Sequence, residues 1–197
     1  MAKTASTGFI PRKHLYGSLA QASRESFRAG NSATLVIGDA VRFNTGGLAV
    51  RAGAGVPVLG IVVGIVDENE INPFSYAYTN NTGATLTPDD TVVTASDNSS
   101  RAHYIKVQVL LDPAGQILYY NDADADLGQT NVGQLFDCVA ASGQISQSTA
   151  SDTSGSFQLV SLDPDGDADL SKGLFRIVEN QLVNNVASYG STAVVTA

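Results

Sequence analysis

The chain has 197 residues, 43% of them hydrophobic and 15% charged, with one cysteine, no tryptophan and a formal net charge of −8. That is enough apolar material for one larger β domain or two small ones. Cys138, being alone, excludes an internal disulfide framework and a cysteine-based zinc site, so packing must hold the fold.

Polar surface comes from 55 Ser, Thr, Asn and Gln against 30 charged residues, which argues against disorder by charge repulsion. The charge is split along the chain. Residues 1–51 carry a balance of +5 and the remainder a balance of −13. A body this acidic repels nucleic acid, and the basic segment lacks both a dense Lys/Arg block and interleaved aromatics. We therefore expect no nucleic-acid partner, and an acidic protein neighbour fits better.

Residues 1–30, rich in Ser, Arg and Ala with Glu25 as their single acid, also fit a transit peptide. We read them as a retained basic N-terminal arm, lying on its own body or on another subunit. Ser18 and Gln21 have capping-box spacing, which allows a short helix over residues 18–27. There is no apolar signal core. The longest apolar run, residues 56–66, has 11 residues against the roughly 20 that span a bilayer, so no membrane partner is expected.

Along the body the period is two. In HYIKVQVLL, residues 103–111, Ile105, Val107, Val109 and Leu111 share one face, with Lys106 and Gln108 opposite. SFQLVSL, residues 156–162, and LFRIV, residues 174–178, repeat the type, the latter with Phe175 and Ile177 opposite Arg176. Residues 58–66 are apolar on both faces and predict a central strand covered on two sides. Gly60 and Gly64 there mark a bend, a bulge or a close backbone approach. Short strands follow at 35–37, 40–43 and 47–51, separated by the turn signals Gly38-Asp39 and Asn44-Thr45-Gly46-Gly47.

Long polar connections are expected at 68–82, 97–101, 121–131 and 142–156. The fold class is all-β: a sandwich or small barrel or barrels with long loops and an extended N-terminal arm. The domain reading is an arm over 1–30, a β-rich body over 31–187 and a tail over 188–197. A break near 97–102 either divides the body into two β subdomains or marks a hairpin tip.

The search for catalytic groups returns little. His14 and His103 have no second His or Cys at ligand spacing. Cys138 sits beside Phe136 and Val139 and reads as a small buried hydrophobe; a pairing with His103 would require the fold to bring them together. No GxSxG occurs, and Gly53-Ala54-Gly55 opens like a dinucleotide fingerprint but has Val58 where the third glycine belongs.

Two acidic runs place carboxylates at alternate positions, Asp122, Asp124 and Asp126 in one and Asp163, Asp165, Asp167 and Asp169 in the other. Both lack the Gly and Glu that an EF-hand loop needs at its sixth and twelfth positions. We read them as solvated loop acids, with Asp122, Asp124, Asp126, Asp163, Asp165 and Asp167 as weak calcium candidates. A carboxylate pair for glycoside hydrolysis would also want aromatic sugar platforms, and there is no Trp. The reading is a non-enzyme without a cofactor.

The stretch GDAVRFNTGGLAVRAGAGVPVLGIVVGIV, then YIKVQVLLDPAGQILYY, LGQTNVGQLFDCVA and LFRIVENQLVNN, resembles the capsid decoration (cement) proteins of tailed bacteriophages. The likeness covers residues 38–66 and 104–185, in the order of the Gly-Asp turns, the valine and glycine strand and the Asp-Pro segment. It implies a non-enzymatic β-rich structural protein of the virion. Such a protein binds the outer capsid surface at local threefold positions, commonly as a homotrimer, and clamps neighbouring copies of the major capsid protein.

On that reading the basic arm is the clamp. Phe9, Arg12, Lys13, Arg24 and Arg28 are then its expected contacts, and deletion of residues 1–28 leaves the body folded. Three further classes stay open: a head fibre base or tail component, a surface adhesion or carbohydrate-binding β module, and an enzyme.

Overall fold

Alternating and doubly apolar segments become strands because only pairing satisfies their backbone groups while burying one or both faces. The computed structural model describes residues 8–16, 19, 22–30, 34–66, 78–79, 85–86, 92–94, 106–139, 143–163 and 172–183. Among these, the first seven strands are β1 (Ile10–His14), β2 (Arg24–Arg28), β3 (Thr34–Val36), β4 (Ala40–Phe43), β5 (Ala49–Arg51), β6 (Gly60–Val66) and β7 (Tyr78–Thr79). They are followed by β8 (Thr85–Leu86), β9 (Val92–Thr94), β10 (Lys106–Leu111) and β11 (Ile117–Asp122). A 3₁₀ turn (Gln129–Asn131) leads to β12 (Leu135–Cys138), β13 (Ile145–Ser151), β14 (Phe157–Leu162) and β15 (Lys172–Ile177).

The chain forms two main antiparallel sheets in an all-β sandwich. One has five strands in the order β2-β10-β6-β4-β5, which places the doubly apolar β6 at its centre, as the sequence predicts. Its two outer strands meet: Ala29, just past β2, bridges Ala49 of β5, and the Gly30 N–H donates to the Ala49 carbonyl at 2.8 Å. The sheet therefore curls into a small barrel, a closure that protects strand edges. Val41, Leu59, Val62, Ile65, Val107 and Val109 belong to its buried interior cluster.

One irregularity sets which side chains enter that interior. Val62 pairs with Val109 and Gly64 with Gln108, so Val63 is an extra residue on β6. This bulge resets the alternation. Ile61 packs against the other core, Val62 faces the barrel interior, and Ile65 faces it again three residues later instead of two or four. Gly60 is needed for close approach, because a Cβ there would collide with the Leu110 carbonyl oxygen and lie 2.7 Å from Val109 Cγ1.

The other sheet has six strands in the order β1-β11-β15-β14-β12-β13. A bridge from Ala123, just past β11, to Ile145 at the start of β13 bends it round in turn. Its inner residues Tyr119, Phe136, Phe157 and Phe175 share a core with Ala40, Ile61 and Leu110 from the outer surface of the barrel. Two polar clips join the halves. Asn180 Nδ2 donates to the carbonyls of Leu59 and Asp112, each at 3.3 Å. Gln181 imitates a strand neighbour of Phe43, accepting from its N–H at 2.6 Å and donating to its carbonyl at 3.2 Å. The buried Asp112 carboxylate closes the β10–β11 turn by accepting the N–H groups of Gln116 at 2.7 Å and Ile117 at 3.0 Å.

The Tyr119 hydroxyl lies in the shared core with no hydrogen-bond partner among the described residues. Burial, reinforced by the nearby Asp112 charge, raises its pKa well above the ordinary 10.0. A buried hydroxyl without a partner opposes folding. Tyr119→Phe is therefore expected to leave stability unchanged or raise it by about 1 kcal/mol in a urea melt. A loss of similar size would show that the hydroxyl is bonded.

Several sequence expectations are corrected. The helix over 18–27 is not formed, since Arg24–Arg28 is a strand paired with β10 in the register Phe27↔Val107 and Glu25↔Val109. The described part of the arm is woven into both sheets: β1 pairs with β11 and β2 with β10. The connection expected over 142–156 contains β13, whose polar sequence ISQSTAS suits the outermost strand of a sheet. The break near 97–102 and the tail over 188–197 fall outside the described residues, as does most of the connection over 68–82. Each main sheet takes strands from before and after that break, so the two halves interlock.

Candidate interaction surface

Period-two alternation gives the six-stranded sheet an outward face opposite its aromatic core. Tyr119, Phe175 and Phe157 point inward, so Leu118, Tyr120, Arg176 and Gln158 point outward. Arg176 and Gln158 are register partners, and Arg176 Nε donates to Gln158 Oε1 at 2.8 Å, which orients the guanidinium. No carboxylate among the described residues forms an ion pair with Arg176.

Two hollows adjoin this side chain. One, of about 300 Å³, is walled by Leu15, Leu118, Val132, Gly133 and Val160. The second, of about 230 Å³, lies against Pro113, Ala114, Gly115 and Val178. Large apolar side chains are exposed around them: Leu15 by 38%, Val160 by 38% and Val178 by 37%, with Tyr16 at 82% directly after Leu15. Arg12 adds a second cation, its guanidinium carbon 5.1 Å from the centre of the Tyr120 ring. The result is a partly apolar, exposed face with oriented cations on the six-stranded sheet. Such a composition suits protein contact, where Arg and Tyr supply much of the binding energy.

No protein-family model, curated protein or solved structure matches the chain.

The structure distributes the predicted contact residues differently from a flexible clamp. Phe9 is 2% exposed, stacked on Phe157 at 4.4 Å and edge-on to Tyr119 at 6.2 Å, so it is a core residue and not a partner contact. Its apolar ring does more for folding inside the core than it would on a surface. Arg12, Lys13 and Arg24 are exposed and Arg28 is half-buried. They lie on two strands in two different sheets and do not converge.

Among the weak calcium candidates, Asp124 accepts from the Gln147 N–H at 2.7 Å and from the Ser146 hydroxyl at 3.2 Å. Asp163 accepts from the Tyr120 hydroxyl at 2.9 Å. Asp126 is exposed and Asp122 half-buried, while Asp165 and Asp167 lie outside the described residues. Among the described residues no group of three or more His, Cys, Asp or Glu is placed to hold a metal ion.

Cys138 is buried, as its apolar neighbours imply, and burial followed by the Asp137 charge pushes its thiol up to about 12. At neutral pH it is a thiol and not a nucleophilic thiolate. His103 lies outside the described residues. His14 sits on β1, where its Nδ1 accepts from the Tyr16 N–H at 3.3 Å. Residues 53–55 form part of a turn and not a strand-to-helix phosphate loop.

Sequence reading did not single out Arg176 because it identified only the side of the strand on which the arginine lies. Which other residues share that side depends on strands pairing across the chain.

A buried ion pair was also not anticipated. Asp39 Oδ2 accepts from the Val36 N–H at 2.8 Å and from Arg51 Nε at 2.9 Å and Nη2 at 2.6 Å, while Oδ1 has no hydrogen-bond partner among the described residues. Burial raises the Asp39 pKa from its ordinary 3.8, against the opposing pull of the Val36 amide and Arg51. The folded chain thus holds this proton more tightly than the unfolded chain. Ionised Asp39 opposes folding at neutral pH, and that opposition is relieved as pH falls through the raised value toward 3.8. Melting of the parent is accordingly expected to gain on that of Asp39→Asn between about pH 7 and about pH 4. If the parent loses ground over that window, the Arg51 pair outweighs burial.

Proposed function

We propose that this chain is a structural virion protein that binds the outer surface of a phage head and stabilises the coat lattice. Its partners are the major capsid protein and further copies of itself, in a homotrimer at local threefold positions. The likeness of residues 38–66 and 104–185 to capsid decoration proteins supports the family. The observation that carries the role is the exposed apolar face around Arg176 on a two-sheet body.

A lattice clamp needs stiffness and an adhesive surface more than it needs a pocket. Side-by-side copies offset a weak individual contact, because lattice neighbours raise the effective concentration for one another.

Quantitative mass spectrometry of purified particles tests this directly. About one copy per coat subunit is expected, as a lattice-wide symmetric assembly requires. A handful of copies per particle would make the chain a fibre base or tail component. Absence from particles would overturn the virion reading and favour a surface adhesion module.

A further inference from the structure

We propose that the Arg176 face of the six-stranded sheet is the surface this chain lays on the coat, and that the coat supplies a carboxylate flanked by apolar side chains. The inference rests on the shell-binding reading above and names the contact that reading leaves open.

The argument is one of complementarity. Gln158 holds Arg176 Nε, which fixes the plane of the guanidinium and leaves its other nitrogens to meet a partner carboxylate. Such a pair strengthens where water is excluded, and a partner seated on Leu15, Leu118 and Val160 on one side of Arg176 and Val178 on the other would exclude it on docking. A partner bearing a carboxylate alone would leave these apolar walls wet, and one bearing only apolar groups would bury an unpaired cation. Nucleic acid fits less well. Its phosphates would lie against leucine and valine, and the chain as a whole carries a net charge of −8.

Arg24, an arm residue on the other sheet, supplies the control. Arg24 is exposed on β2, at the edge of the other sheet, and was one of the contacts expected from sequence.

Heads assembled without this chain are mixed with purified protein and sedimented, comparing the parent with Arg176→Glu, Val160→Asp and Arg24→Glu, each first checked by thermal melting. Arg176→Glu is expected to weaken binding by about tenfold or more, as reversal of an interfacial charge does, and Val160→Asp to weaken it in the same direction. Arg24→Glu is expected to bind like the parent. Parent-like binding by folded Arg176→Glu and Val160→Asp overturns the assignment of this face while leaving the shell-binding function intact. Loss confined to Arg24→Glu overturns it in favour of the barrel edge. A parent that does not bind heads, or an Arg176-dependent retention of random single-stranded DNA in its place, overturns both.

Discussion

Deletion of residues 1–28 is expected to abolish cooperative folding, giving a fragment with no thermal or urea transition by circular dichroism. The segment looks dispensable in sequence because it is basic, glycine-interrupted and short of apolar residues. In the fold it supplies one end strand to each main sheet, and Phe9 to the core. Loss of the Phe9 ring alone, between Phe157 and Tyr119, costs about 3–5 kcal/mol. Removing β1 leaves the outer edge of β11 unpaired, and removing β2 does the same to β10 while opening the barrel. Against a total stability of about 5–15 kcal/mol, these losses leave little net folding free energy. Phe9→Ala separates the packing term from the strand term and should melt cooperatively at a lower midpoint. A fragment beginning at residue 29 that melts like the parent would show that the two strands are ornaments on an independent body.

Val62→Asp is expected to cost about 3–5 kcal/mol, the range for an uncompensated buried charge. Val62 is fully buried inside the barrel, beside its register partner Val109, and its own backbone groups are committed to Gly38 and Asp39. A carboxylate there is cut off from water, and the closed sheet gives it no route outward. The comparison that isolates burial is Val160→Asp, the same chemical change on the outward face, expected to lie within about 0.5 kcal/mol of the parent. Equal melting of the two variants would show that the interior of the barrel is wet.

Local periodicity made several elements legible. In β10, Val107, Val109 and Leu111 pack toward the barrel interior as their alternation predicts, while Leu110 serves the other core. In β15, Phe175 and Ile177 are buried opposite Arg176. The doubly apolar β6 lies between β10 and β4, where both of its faces are covered. The helix over 18–27 failed because capping-box spacing is a weak local preference, and pairing with β10 satisfies the backbone of Arg24–Arg28 instead. β13 was missed for a related reason. Five of its seven residues are Ser, Thr or Gln, so it lacks the apolar alternation that betrays a strand with one buried face.

The candidate surface was less legible than the fold. Arg176, Leu15, Val160 and Val178 are separated by up to 163 positions and share no motif. The acidic runs drew attention because their spacing is visible in one line of sequence, yet the described acids are solvated or committed to neighbouring hydroxyl and amide groups. What the amino-acid sequence by itself determined was the all-β class, the faces of the best strands and the inertness of Cys138, because each follows from the nature and spacing of adjacent residues. Tertiary structure alone decided the closure of the barrel between Ala29 and Ala49, the burial of Phe9, the bulge that re-aims Ile65 and the patch around Arg176. Each of these depends on which distant strand becomes a neighbour, and hydrogen bonding across a sheet is a pairing between segments that neither segment encodes on its own.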